Sequence, residues 1–415
     1  MALVSEVMRV SVGLRGSAPS REHARRNDLD GLRGVAIALV AVFHIWFGRV
    51  SGGVDVFLVL SGYFFGGMVL RRALTADASL SPLPHLTRLA RRLLPALVVV
   101  LGAAALLTVV LQPETRWEAY ADQSLASLGY FQNWHLSNIA ADYTRAGEAV
   151  SPLQHLWSMS VQGQFYIALL AVTLALAYLL RRVVRTRLDL VFAALLGALT
   201  VASFVYAVVA HTDNPTAAYY DSFARAWELL VGVLAALLLS TLRMPMWLRT
   251  AAAVAGVTAI VSCGALIDGA ALFPGPWALI PVGATILVIA AGSGHPASIP
   301  SPLRLLAARP FVQLGAIAYS LYLWHWPLLI FWLVHTGRPR VGVLDGLGVL
   351  AVSVLLAVVT HRFVENPLRY PRAHPTATDR VVRAWVSAGR PTFALGSAVA
   401  PVSYTHLTLP TTPYV

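Results

Sequence analysis

The chain has 415 residues, of which 57% are hydrophobic and 12% are charged, and its mean hydropathy is +0.68. This composition excludes an ordinary soluble domain and indicates a protein that crosses a membrane several times. All 31 basic residues are Arg, and they lie between apolar blocks and not on one basic face. Nucleic-acid binding is therefore not expected, despite the net charge of +12.

A search with a window of about 20 residues predicts ten membrane-spanning helices. The predicted spans lie near 34–50, 53–70, 93–112, 156–180, 188–210, 226–241, 250–267, 277–292, 313–334 and 344–361. If the N-terminus is cytoplasmic, 25 of the 31 Arg residues fall in inner segments, as the positive-inside rule requires. The sequence therefore predicts an all-α, polytopic membrane helix bundle.

The parts of the chain outside this bundle have a different composition. We predict an Arg-rich cytoplasmic tail over residues 1–26, a membrane domain over 27–372, and a linker over 373–402. The linker contains a moderately apolar run that is typical of the start of an eleventh span. Residues 403–415 have neither helical periodicity nor membrane character, and we expect them to be a non-native tail on a truncated sequence.

The first span contains two ionisable residues, Arg33 and His44. They are 11 positions apart, close to three helical turns, so both side chains project from one face at depths about 16 Å apart. Ionisable groups at such depth are costly and indicate a functional site. The pair suits a long ligand whose anionic end binds Arg and whose reactive end reaches His. The alternative is a topology-setting Arg and a His packed against a helix carbonyl.

The next candidates flank the second and third spans. Asp55 begins the second span, either as the partner of an Arg or His or as a helix start. Arg88, Arg91 and Arg92 precede the third span, with Pro95 expected near the helix start. Arg88 and Arg91 are i, i+3 neighbours. Because guanidinium groups match phosphate oxygens, they form either a polyphosphate clamp or ordinary positive-inside charge.

The fourth span follows the longest predicted outer loop, 113–155, whose aromatic and acidic residues suit either a sugar-contacting surface or an interfacial aromatic belt. The span opens with His155, Ser158 and Gln162, which share a face at i, i+3 and i+7. Polar residues entering lipid should face the bundle interior. If Arg33 and His44 line one cavity and do not merely contact one neighbouring helix, we expect this stripe to line the outer half of that cavity; the alternative is that it joins two helices by hydrogen bonds.

The ninth span places His325 near the calculated depth of His44, so the two imidazoles can act together. Pro327 interrupts the hydrogen bonds of this helix and can expose a carbonyl to a cavity. Glu365 follows the last span, as a helix cap or the partner of an Arg. The His residues form no recognisable ligand cluster with carboxylates, so we expect no metal.

Six ordered segments together resemble the acyltransferase-3 family of bacterial integral-membrane acyltransferases: LDGLRGVAIALVAVFH, GGVDVFLVLSGYFFGG, RLARRLLPALVV, SPLQHLWSMSVQGQFY, YSLYLWHWPLL and HRFVENPLR. The resemblance covers roughly 27–372 and implies about ten helices in the cytoplasmic membrane. It also implies transfer of an acyl group, most often acetyl, from cytoplasmic acyl-CoA to a carbohydrate, glycolipid or peptidoglycan of the cell envelope. The family's Arg-x10-His pair falls on Arg33 and His44, and its R-x-x-R motif on Arg88 and Arg91.

One residue departs from the family pattern. Many relatives have Glu where this chain has Gln162, which can orient a hydroxyl but cannot accept its proton, so any acid–base role shifts to His44. The variant VQGQFY with the VENPLR ending resembles a subgroup in which an eleventh helix leads to an extracytoplasmic SGNH hydrolase-like domain. We find no such domain in this sequence and expect one of two situations: either the true protein is longer, or this chain acylates a carrier or lipid-linked sugar without that domain.

The predicted mechanism places the phosphates of acetyl-CoA, or another acyl-CoA, on Arg residues below a reactive His44. The predicted coenzyme-binding residues are Arg33, Arg88, Arg91 and Arg92. His44 acts as nucleophile or as base, and the sequence does not choose between them. The predicted acceptor path contains His155, Ser158, Gln162, His325 and Asp55. The competing hypothesis is a proton-coupled transporter or flippase of an envelope glycolipid, with His44 and His325 relaying protons.

Overall fold

The computed structural model describes residues 26–74, 82–141, 150–180, 188–239, 242–293 and 299–369, and its regular structure there is helical. The helices of eight or more residues are α1 (Asn27–Phe47), α2 (Gly53–Arg71), α3 (Leu83–Leu111), α4 (Trp117–Leu128), α5 (Gln132–Ala141), α6 (Trp157–Leu180), α7 (Leu188–Asp213), α8 (Ser222–Leu238), α9 (Met246–Leu266), α10 (Pro276–Ala291), α11 (Arg309–Ala316), α12 (Ala318–Thr336) and α13 (Val343–Arg369). The all-α prediction is confirmed. The predicted N-terminal tail, the linker, the partial eleventh helix and the final tail lie outside the described residues, apart from Arg26.

Seven of these helices are long and apolar enough to cross a membrane: α1, α2, α3, α6, α7, α9 and α13. The pair α11 and α12, bent by 68°, raises the number to eight if it forms one span. Each remaining predicted span also coincides with a helix, but α8 has 17 residues and α10 is shorter still. At a rise of about 1.5 Å per residue, both are shorter than a hydrocarbon core of about 30 Å. The polytopic membrane bundle is confirmed, and the crossing by α8 and α10 stays a prediction.

Two local predictions are wrong. The predicted outer loop over 113–155 contains the helices α4 and α5. Helix α3 begins at Leu83, so Pro95 lies inside the helix and not near its start. A Pro inside a helix removes one backbone N–H, and membrane helices tolerate this where neighbouring groups satisfy the freed carbonyl.

Helix α1 carries local signals at both ends. Asp28 and Asp30 lie in its first turn, where the helix dipole favours negative charge. The last five residues, Phe43–Phe47, form a π-helical turn that contains His44. Single π-turns are frequent at functional sites. The helix then stops at Gly48, whose φ of +58° is a backbone conformation that favours glycine.

Close glycine contacts hold α2 against α8. A Cβ atom added to Gly62 would lie 1.9 Å from the carbonyl oxygen of Leu229, and one added to Gly232 would lie 2.0 Å from that of Val59. Membrane helices approach closely where such small residues face one another. This approach brings Asp55 of α2 beside Arg225 of α8.

Candidate active site

A cavity of about 580 Å³ lies inside the bundle between α1, α2, α3, α6 and α12. Arginine side chains line it where α1 and α3 begin and where α13 ends, so they gather at one face of the bundle. These residues are Arg33, Arg88, Arg92 and Arg369. The middle of the wall is apolar and includes Phe57, Leu58, Phe64, Phe65, Met68 and Leu93. Such a cavity suits a ligand with an anionic end and an apolar arm.

The structure changes which arginines group together. Arg88 and Arg92 line the cavity, whereas Arg91 does not. Residues i and i+4 differ by about 40° around a helix, so Arg88 and Arg92 share the inner face and Arg91 falls beside it. Arg369 is a cavity residue that the sequence reasoning missed. Its guanidinium lies 3.9 Å from the carboxylate of Glu365, so the predicted role of Glu365 as an Arg partner agrees with the structure.

The two intramembrane histidines meet. Nδ1 of His44 lies 3.1 Å from Nε2 of His325, and the rings stack with centroids 5.4 Å apart. Trp326 packs its edge against His44 at a centroid distance of 4.9 Å. Nδ1 of His325 lies 3.1 Å from the backbone carbonyl of Leu321. The depth calculated from the sequence therefore identified a real contact.

These hydrogen bonds determine which ring nitrogens carry hydrogen when both rings are neutral. A carbonyl oxygen only accepts, so Nδ1 of His325 must donate to Leu321 and its Nε2 must be an acceptor. Nδ1 of His44 therefore donates to His325, which leaves the Nε2 lone pair of His44 for chemistry. A base held in one tautomer by a second group is the usual arrangement around an activated nucleophile.

The prediction that Arg33 and His44 line one cavity is not what the structure shows. Arg33 lines the cavity, but His44 and His325 lie behind its wall. Tyr322 contacts both the cavity and the histidine pair: it lines the cavity, and its ring centroid lies 5.7 Å from that of His325. Its hydroxyl lies 2.8 Å from Oγ of Ser158. The side chain of Tyr322 therefore separates the arginine-lined space from the histidine pair.

The polar stripe of α6 is divided by the same wall. Ser158 and Gln162 line the arginine-lined cavity, so they do not form a separate outer path. The Gln162 side-chain amide donates to the hydroxyls of Ser61 and Tyr166. His155 lies on the other side of the wall, with its ring centroid 5.7 Å from that of His325. Three imidazoles therefore lie in one cluster, in which His155 and His325 are buried and His44 is partly buried.

Asp55 lies in a buried ion pair and does not line the cavity. Nη1 of Arg225 is 2.9 Å from the Asp55 carboxylate and 2.8 Å from that of Glu228. All three side chains are at most 2% exposed. Of the predicted alternatives for Asp55, the structure shows the Arg partner. This triad joins α2, which lines the cavity, to α8, which does not.

The fold and the site thus define a class: a multi-pass membrane protein with an arginine-lined internal cavity against a buried histidine cluster. The chain matches the sequence profile of the acyltransferase-3 family, described as an acyltransferase domain, over residues 26–362. The chain therefore belongs to the acyltransferase-3 family and is an acyltransferase. This assignment favours the enzyme over the transporter hypothesis.

Individual relatives agree with the family. The chain is 32% identical over 367 residues to BcsY of Komagataeibacter xylinus, by name a membrane-bound transacylase, covering 85% of this chain and 86% of BcsY. It is 28% identical to the peptidoglycan O-acetyltransferase OatA of Listeria monocytogenes, covering 82% of this chain and 55% of OatA. It is 26% identical to the O-acetyltransferase OatA of Staphylococcus aureus, covering 82% and 57%. The chain thus spans just over half the length of these two O-acetyltransferases. No solved structure matches it.

Proposed function

We propose that this protein transfers an acyl group, most simply acetyl, from cytoplasmic acyl-CoA to an extracytoplasmic carbohydrate, glycolipid or peptidoglycan of the bacterial envelope. One observation carries the proposal. The cavity gathers four arginines at one face of the bundle, and its wall at Tyr322 touches the buried histidine cluster. An anionic donor can bind at the first place and react at the second.

Coenzyme A fits the cavity by its chemistry. Its phosphates match the guanidinium groups of Arg33, Arg88, Arg92 and Arg369, since Arg binds phosphate oxygens in a bidentate way. Its pantetheine arm can lie along the apolar wall. The thioester then arrives near Ser158 and Tyr322. A thioester is already activated, so the protein has only to position it and to supply a proton acceptor.

His44 is the reactive residue in this proposal. The hydrogen bond from its Nδ1 to His325 leaves a lone pair on its Nε2. Nε2 either attacks the acyl carbon or takes the proton of the acceptor hydroxyl, and both routes need the same tautomer. His155 and His325 lie beside it on the side of the wall away from the arginines, where the acceptor would approach.

The direction of transfer and the acceptor class have separate support. The arginine distribution supports a cytoplasmic position for the arginine-lined face, which is where acyl-CoA is made available to a membrane enzyme. Two relatives are O-acetyltransferases by name, and one of those names specifies peptidoglycan. These names favour a hydroxyl of an envelope carbohydrate as the acceptor. The proposed location of the enzyme is the bacterial inner membrane.

The test is transfer of label from acetyl-CoA to envelope material in membranes that contain each variant. We expect His44→Ala to lower turnover by about 10²–10⁴-fold, the usual worth of a positioned acid–base group. Arg33→Ala should chiefly raise KM for acetyl-CoA. Arg340→Ala is the control, because Arg340 is an exposed arginine that does not line the cavity. Wild-type transfer by both His44→Ala and Arg33→Ala would contradict the proposal.

A further inference from the structure

We propose that Tyr322 and Ser158 are catalytic residues whose hydroxyls stabilise the oxyanion formed when the thioester reacts. The inference rests on the proposed function. It assigns a role to two hydroxyl groups that line the cavity where it meets the histidine cluster.

Tyr322 has a unique position among the described residues. It alone both lines the cavity and makes ring contacts with the histidine cluster, at centroid distances of 5.1 Å to His155 and 5.7 Å to His325. A thioester that moves from the arginines toward the histidines must therefore meet its hydroxyl. Ser158, which also lines the cavity, lies 2.8 Å from that hydroxyl.

Each of the two hydroxyls has a hydrogen-bond partner, but its hydrogen can still rotate toward another acceptor. Tyr322 donates its hydrogen to the backbone carbonyl of His155, so the Ser158 hydroxyl donates to Tyr322. Both residues are buried, at 8% and 7% exposure. A hydroxyl hydrogen can rotate to a new acceptor without moving its oxygen far. A thioester carbonyl that reaches this wall therefore finds two donors that can turn toward it.

Two other hydrogen-bond donors in the cavity, Gln162 and Tyr319, already donate to neighbouring groups. The Gln162 amide donates to Ser61 and Tyr166. The Tyr319 hydroxyl donates to the carbonyl of Leu93, 2.7 Å away. None of these groups makes a ring contact with the histidines. The Ser158 and Tyr322 pair is therefore the donor set closest to the reacting centre.

The oxyanion arises by either route open to His44. In the base route, the acceptor oxygen bonds to the acyl carbon while its proton passes to Nε2, and the carbonyl π electrons move onto oxygen. When that pair returns, the carbon–sulfur bond breaks and the coenzyme thiolate takes the proton from the imidazolium. In the nucleophile route, Nε2 bonds to the acyl carbon and the carbon–sulfur bond breaks, so that the coenzyme thiolate leaves; the acceptor oxygen then bonds to that carbon, the imidazole leaves, and the hydroxyl proton passes to the thiolate. Each addition places a negative charge on the same oxygen.

The expected effect is large because both hydroxyls are buried in the protein. A donor aimed at a developing oxyanion is typically worth about 10²–10³-fold in kcat. Tyr322→Phe removes the hydroxyl and keeps the ring that packs against the histidines. We expect it to lower kcat by about 10²-fold or more, with KM for acetyl-CoA changed less than about twofold. Ser158→Ala should lower kcat about tenfold.

The experiment measures kcat, KM and thermal unfolding of the full-length protein in detergent or membranes. Tyr120→Phe is the matched control, because Tyr120 also donates a buried hydroxyl to a helix carbonyl, that of Leu101 at 2.6 Å, away from the cavity. It should leave kcat unchanged. If the wild type transfers acetyl but Tyr322→Phe and Ser158→Ala keep its kcat, the inference is wrong while the proposed function stands. If Tyr322→Phe does not fold, Ser158→Ala decides. A wild type that transfers nothing refutes the proposed function itself.

Discussion

Replacing His325 tests whether one imidazole prepares the other. In the structure, Nε2 of His325 accepts from Nδ1 of His44 at 3.1 Å. His325→Leu keeps most of the buried volume but leaves that N–H without its acceptor. A buried donor left unsatisfied costs about 1–3 kcal/mol. In His325→Leu this cost destabilises the His44 tautomer that carries hydrogen on Nδ1 and a lone pair on Nε2.

This cost sets the expected rate. Each factor of ten in rate corresponds to about 1.36 kcal/mol, so His325→Leu should lower kcat by about 5- to 150-fold. KM for acetyl-CoA should change little, because the four cavity arginines do not touch His325. The assay is steady-state transfer from labelled acetyl-CoA in membranes, with protein amount measured by immunoblot and folding by thermal unfolding.

The matched variant is His325→Gln. Its side-chain oxygen can accept from His44 while its amide donates to the carbonyl of Leu321. We therefore expect Gln to restore part of the rate that Leu loses. The reasoning is refuted if His325→Leu turns over as fast as the wild type, or if Gln and Leu are equally slow while both proteins unfold at the wild-type temperature.

Three further outcomes follow from the geometry. Arg92→Ala should raise KM for acetyl-CoA at least tenfold while Arg91→Ala changes it less than about threefold, measured by initial rates, since a charge-assisted hydrogen bond contributes about 1.5–3 kcal/mol; equal effects would contradict the assignment of faces. Arg225→Ala should destabilise the protein by about 3–5 kcal/mol, because it leaves the buried carboxylates of Asp55 and Glu228 without a positive charge, whereas Glu228→Gln, which leaves Arg225 paired with Asp55, should cost less; thermal unfolding in detergent orders the two, and the reverse order would contradict it. Gly232→Ala should cost about 1–3 kcal/mol by overpacking the helix contact, and unchanged unfolding would show that the backbones can separate.

Much of the fold could be predicted because each span carries its own signal. Apolar windows identify helices wherever the surrounding solvent is lipid, and each predicted span coincides with a helix. Residue counting along α1 and α12 was enough to place His44 and His325 at one depth. The bend between α11 and α12 and the helices α4 and α5 were missed, because neither depends on hydropathy.

The site was predicted in part for a related reason. Sequence spacing shows which residues share a helix face but not which face meets the bundle interior. Both Arg91 and Arg92 were therefore predicted to bind the coenzyme, although of these two Arg92 alone lines the cavity. Tyr322 is one of several aromatic residues in YSLYLWHWP, and only tertiary packing singles it out. Arg369 resembled topology-setting charge until its place beside the cavity was known.

Sidedness tests the central claim most directly. Acetyl-CoA supplied outside inverted membrane vesicles should label envelope acceptor in their lumen, and His44→Ala should abolish the labelling. Right-side-out vesicles should not use external acetyl-CoA, because the proposal puts the arginine-lined face in their lumen. Equal labelling in both orientations, or undiminished labelling with His44→Ala, would contradict a donor that binds from the cytoplasm and reacts at this histidine.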